Sequence, residues 1–123
     1  MVAYTVVITR SPNRLKKFRA VVFDGSRTTS VDFGQAGASD YTIHKEFPRM
    51  VRYVMRHSHP SDLEGVRNIE RVNSTKERWG IDGIRTAGFW SRWLLWSKPS
   101  LRGAARGVES KFRGVRIRLD LNG

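Results

Sequence analysis

The chain has 123 residues, 39% hydrophobic and 11% aromatic, which suits one folded core and is too apolar for a disordered tail. It carries 23 Lys and Arg against 11 Asp and Glu, a formal net charge of +12, and no cysteine. Disulfides, thiol chemistry and Cys-based zinc sites are excluded, and no apolar run approaches the ~20 residues that cross a bilayer.

Tyr4-Thr5-Val6-Val7-Ile8-Thr9 is short and β-branched and predicts a strand. The apolar part of residues 1–10 is too short and too β-branched for a signal peptide. Ser11-Pro12-Asn13 breaks the strand, and residues 17–23 resume it with partial alternation. Asp24-Gly25 is a hairpin signal, because glycine accepts the positive φ such turns need. Residues 27–33 return as a third strand, with Val31 and Phe33 on one face and Asp32 on the other. Residues 34–39 form a small-residue loop before a helix with Pro48 in its first turn, where the missing N–H costs nothing. Phe47, Met50, Val51, Val54 and Met55 recur at helical spacing and predict its apolar stripe.

Ser58-His59-Pro60-Ser61 ends that helix. Leu63, Val66, Ile69 and Val72 keep a spacing of three and predict a short helix within 61–78. Residues 79–84 read as an irregular, glycine-punctuated connection. Phe89, Trp90, Trp93 and Leu94 then match one helical face, with Trp96 closing it and Pro99 stopping it. Leu101, Ala104, Ala105, Val108 and Phe112 predict another amphipathic helix, ended at Gly114, with Arg102, Arg106 and Arg113 off its apolar face. Residues 115–119 alternate as a half-buried strand does. The expected fold is α+β: a three-stranded antiparallel N-terminal meander, two to four helices packed on it and a short C-terminal strand. A single domain is expected over 1–123, as meander (1–34), helical and Trp-rich segment (35–98), and helix plus final strand (99–123).

Catalytic signals are thin. His44, His57 and His59 have no thiol or acidic cluster beside them and read as capping or hydrogen-bonding side chains. Asp40, Glu46, Asp62, Glu64, Glu70 and Glu77 are scattered among basic residues and read as their salt-bridge partners. No Gly-x-Ser-x-Gly turn and no phosphate-cradling glycine loop is present. The chain is therefore expected to be non-enzymatic, with no catalytic residues, no cofactor and no metal.

The charge is the stronger signal. Residues 1–60 carry ten basic and four acidic side chains, and residues 61–123 carry thirteen and seven, so neither half is a basic tail. Such a field attracts polyanions, nucleic acid first and acidic protein surfaces second. Solubility alone asks for a net charge of only roughly 2–8. Lys45, Arg49, Arg52 and Arg56 fall on one side of the predicted helix, where like charges repel by a few tenths of a kcal/mol per pair. Arg102 and Arg106 on the later helix, and Arg116 and Arg118 alternating along the final strand, extend the candidate polyanion- or partner-binding set. A merely solvated face is the plain alternative. Phe89, Trp90, Trp93 and Trp96 have two readings, stacking platforms for bases or core, and Trp79, Trp90, Trp93 and Trp96 are the candidate interface or core aromatics. Core is favoured, because the sheet needs something large to pack on.

Three stretches are distinctive: Gly37-x-Ser39-Asp40-Tyr41-Thr42-x-His44-Lys45, Arg52-Tyr53-x-x-Arg56-His57, and Thr86-Ala87-Gly88-Phe89-Trp90-Ser91-Arg92-Trp93-Leu94-Leu95-Trp96-x-Lys98-Pro99-Ser100. In these the chain resembles a family of small basic proteins of unassigned function from nucleocytoplasmic large DNA viruses of algae and amoebae. The resemblance spans nearly the whole chain and departs between His59 and Trp79, which is longer and more charged here. It implies a reducing setting, in the virion (capsid or inner shell) or in the host cytoplasm or virus factory during assembly. The implied role is a minor capsid or capsid-associated structural protein that bridges acidic partners. Its expected partners are the major capsid protein and other minor capsid proteins, with an anionic membrane surface as a further contact. The alternative is a sequence-independent binder of DNA or RNA.

Overall fold

The computed structural model describes residues 3–121, apart from the side chain of Glu70. Three strands, β1 (Tyr4–Arg10), β2 (Lys16–Phe23) and β3 (Thr28–Gln35), form the expected antiparallel meander. Gly25 turns β2 into β3 at φ +101°, and the Asp24 carboxylate accepts the backbone N–H groups of Ser26 and Arg27. The last strand, β4 (Val115–Asp120), pairs with β1 in parallel, pairing Tyr4 with Val115. The sheet is thus mixed, in the order β3-β2-β1-β4. Together with five helices it gives the α+β fold expected from the sequence.

Alternation decides which face is covered. Val6, Ile8, Phe18, Ala20, Val22, Phe33 and Val115 are buried on one face. Against them pack the short helix α4 (Ala87–Trp90), the wider π-helical turns of Ser91–Leu95 that continue it, and helix α5 (Leu101–Lys111). A π-turn shifts side-chain directions away from the regular helical face. Phe89, Trp90, Trp93 and Leu94 of the predicted apolar face are buried, and Leu95 with them, while Ala87 is exposed. Among the described residues no helix lies over the other sheet face, where Thr5, Phe23, Thr28, Arg116 and Arg118 are exposed and Val7 and Val21 half-buried.

The middle of the chain departs most from expectation. Helix α1 (Tyr41–His44) starts at Asp40, whose carboxylate accepts the Thr42 N–H, and stops at Lys45, a left-handed residue at φ +57°. Helix α2 (Phe47–His57) therefore begins after Lys45. Its buried residues are Met50, Tyr53 and Val54, while Phe47 and Met55 of the predicted apolar stripe are exposed at 53% and 54%. Tyr53 displaces them because it stacks on Trp96 at 4.5 Å, nearly parallel, and draws that side of the helix inward. The helix predicted within 61–78 reduces to α3 (Pro60–Leu63) and a 3₁₀ turn at Ile69–Arg71. Gly65, at φ +71°, interrupts it.

Candidate polyanion interface

The eight predicted binding residues separate into four groups. Lys45 leaves the set. Its ammonium donates to the Thr42 and Pro99 carbonyls, so it ties the start of α2 to the start of α5 and does not share a helical stripe with the arginines. Arg49 is paired with Glu46 at 3.3 Å, three residues before it. Arg52 and Arg56 remain exposed on α2 with no ion pair among the described residues.

The other four form one flank. The Glu109 carboxylate of α5 accepts the Ile117 N–H of β4 at 2.9 Å, which lays the helix along the free edge of that strand. This contact satisfies a donor that an edge strand otherwise leaves open. Arg106 and Arg102 continue the Glu109 side of α5 over one and two further turns. Arg116 and Arg118 flank Ile117 and project from the uncovered sheet face. All four are exposed, and none makes an ion pair among the described residues.

Elsewhere carboxylates neutralise cations. Lys17 pairs with the buried Asp40, Arg19 with Asp32 and Arg85 with Asp24. The Arg19 hydrogen bond holds the Asp32 carboxyl below its ordinary range. Backbone N–H groups of Ser26 and Arg27 do the same for Asp24. Of the other acids named from the sequence, Glu46 and Glu77 are paired, and Asp62 caps α3 through the His59 N–H. The side chain of Glu70 lies outside the described residues.

The four predicted aromatics also separate. Trp79, Trp90 and Trp93 are core, each at most 4% exposed. The indole N–H of Trp90 donates to the Ile84 carbonyl and that of Trp93 to the Trp79 carbonyl, both at 2.7 Å. Trp96 is partly buried, between Tyr53 and His44.

Sequence reasoning missed two arrangements. Arg92 is fully buried: it donates to the Trp96 and Ile69 carbonyls and lies 4.5 Å from the Trp93 ring centroid. Its signal was present, since an arginine inside an otherwise apolar block must find partners when buried. The second is a pair between His57 Nδ1 and Glu77, in a cleft of about 470 Å³ that Thr86, Gly88 and Ser91 also line. Glu77 further accepts the Trp79 indole N–H, and Tyr53 stacks on the His57 ring at 4.1 Å. A Cβ on Gly88 would sit 2.9 Å from a Glu77 oxygen, so glycine lets the carboxylate approach. Twenty residues separate His57 from Glu77 through irregular chain, and no sequence spacing announces their meeting.

Among the described residues no group of three or more His, Cys, Asp or Glu side chains is placed to hold a metal ion. No helix among them is long and apolar enough to cross a membrane. Residues 6–57 match a family of unknown function (DUF5754), and the chain is similar to that family over most of the meander, α1 and α2. The match covers less than half of the chain and leaves out the α5–β4 flank. No curated protein and no solved structure matches the chain.

Proposed function

We propose that this protein is non-enzymatic and works by holding a polyanion on its α5–β4 flank. The observation that supports this is the set Arg102, Arg106, Arg116 and Arg118, exposed, without ion pairs among the described residues, and gathered along one edge by the Glu109–Ile117 hydrogen bond. Four guanidinium groups along one edge are not needed for folding, and they favour an anionic neighbour. Arg52 and Arg56 on α2 offer a second, smaller basic patch.

The setting we propose is a large DNA virus particle, in which the protein is a minor capsid or capsid-associated component. The support is the resemblance carried by the Gly-Phe-Trp-Ser-Arg-Trp-Leu-Leu-Trp block and its flanking motifs. There the polyanion is nucleic acid or an acidic face of a neighbouring capsid protein, and the free arginines favour phosphate, which a guanidinium grips through two parallel hydrogen bonds. Purified protein should bind nucleic acid at about 50 mM salt and release it steeply as salt rises, because phosphate contacts free counterions. An absence of binding under those conditions would end the nucleic-acid reading. Quantitative mass spectrometry of purified particles tests the setting: fixed copy number is expected, and absence from mature particles would remove it.

A further inference from the structure

We infer that the uncovered face of the sheet is a binding platform for single-stranded nucleic acid, with Phe23 as its base-stacking residue. This rests on the polyanion reading above and specifies its ligand. Strand register defines the face row by row. One row runs Arg116, Thr5, Phe23, Thr28; the next runs Arg118, Val7, Val21, Ser30; the third runs Asp120, Thr9, Arg19, Asp32.

The rows differ in kind. Phe23 is 44% exposed, a large aromatic held on a strand with no helix above it. Val7 and Val21 make an apolar strip beside it, half-buried only by their neighbours. The hydroxyls of Thr5, Thr28 and Ser30 border these side chains. Two strand spacings, about 10 Å, separate the Phe23 and Arg116 positions. A ring that accepts a stacked base and a cation for its phosphate, Arg116, therefore share one row, Arg118 stands in the next, and Arg106 and Arg102 of α5 continue the positive edge.

Of the two acids on this face, one is engaged internally and the other lies at the far end of the edge, beside Arg118. Asp32 is engaged by Arg19 at 2.9 and 3.1 Å and by the Ser11 hydroxyl. Asp120 stands in the third row, away from Phe23. A second copy of the chain is a poor occupant, since it would bring +12 against +12. Duplex DNA keeps its bases stacked inside and offers nothing to Phe23 or the valine strip. A single strand presents phosphates and open base faces together, and stacking on an aromatic tolerates any base.

The test is fluorescence anisotropy with a labelled oligothymidylate of about 12 nucleotides, within the range one such platform spans, and a duplex of the same length. The single strand should bind more tightly than the duplex. Phe23→Ala should weaken single-strand binding about fivefold or more and leave duplex binding and the melting temperature unchanged. Phe23→Trp should restore single-strand binding. Replacing Arg102, Arg106, Arg116 and Arg118 by Gln should weaken both ligands. If both bind but Phe23→Ala changes neither, or both equally, the platform is wrong and the basic flank stands. If neither binds at about 50 mM salt, the nucleic-acid reading fails and the platform with it.

Discussion

The Trp-rich segment from Thr86 to Ser97 and the α5–β4 flank both contain arginine, and they use it in opposite ways. Arg92 sits inside the first, fully buried, with its guanidinium against the Trp93 ring and two backbone carbonyls as acceptors. Arg102, Arg106, Arg116 and Arg118 stand on the second, exposed and without ion pairs among the described residues. The guanidinium group is the same; the difference lies in what surrounds it. Inside, arginine closes hydrogen bonds that irregular chain leaves open, joining residues 69–71 to the π-turn. Outside, the same group has no internal task, and its charge is available to a partner.

Substitution at Arg92 should have the largest effect on stability. Arg92→Ala leaves the Ile69 and Trp96 carbonyls without a charged donor, each bond being worth about 1.5–3 kcal/mol. A loss of about 3–6 kcal/mol in urea unfolding is expected; a loss below about 1 kcal/mol, the range of surface changes, would erase the contrast. Next comes the aromatic core. Trp90→Ala should cost about 3–5 kcal/mol, whereas Phe47→Ala, at a half-exposed position, should cost under about 1 kcal/mol by the same measurement. Equal losses would mean that Phe47 belongs to the core after all. On the flank, Arg102→Gln, Arg106→Gln, Arg116→Gln and Arg118→Gln should each move stability by less than about 0.5 kcal/mol. A larger loss at any one of them would show an internal role for that side chain.

The smallest expected effect is a pH dependence. Burial first, and the Arg49 charge second, hold His44 below its ordinary range, against the pull of Glu46 and Asp40. Its Nδ1 accepts the Glu46 N–H, which a protonated ring cannot do, and its buried Nε2 has no hydrogen-bond partner among the described residues. Folding therefore disfavours the charged ring. Stability from this group is complete above about pH 6.5, the ordinary value of imidazole, and is lost as pH falls through the lower folded value. Thermal melts between about pH 7 and pH 5 should show the decline, and His44→Gln should flatten it. An unchanged slope in that variant would assign the decline to other groups. Asp24, Asp32 and Asp62, all held low, add their losses only below about pH 3.9.

The fold was largely legible because alternation is a direct record of burial. The strand patterns of residues 4–9 and 17–23, and the Asp24-Gly25 turn, correspond closely to the observed elements. The parallel pairing of β4 with β1 was not legible, since a strand's partner leaves no trace in its own side-chain pattern. The Lys45–Arg56 stripe was misread because nothing local marks Lys45 as left-handed; no glycine stands there. On α2 helical spacing marks Phe47 and Met55 as apolar but not Tyr53 as core, because the stacking of its ring between Trp96 and His57 leaves no local trace. The flank was half legible. Its four arginines could be named from helical and strand spacing, but only the Glu109–Ile117 hydrogen bond places them side by side. Phe23 reads as one more β-strand aromatic until the register places it on the face opposite the core, where it is exposed.

The most direct test is the salt dependence of nucleic-acid affinity, measured for the wild-type protein and for the variant with all four flank arginines changed to Gln. The expected result is a linear fall of log affinity with log salt, with a slope shallower in the variant by about 0.7–0.9 for each phosphate contact removed. Identical slopes in the two proteins would place the polyanion elsewhere on the surface and contradict the assignment of the flank.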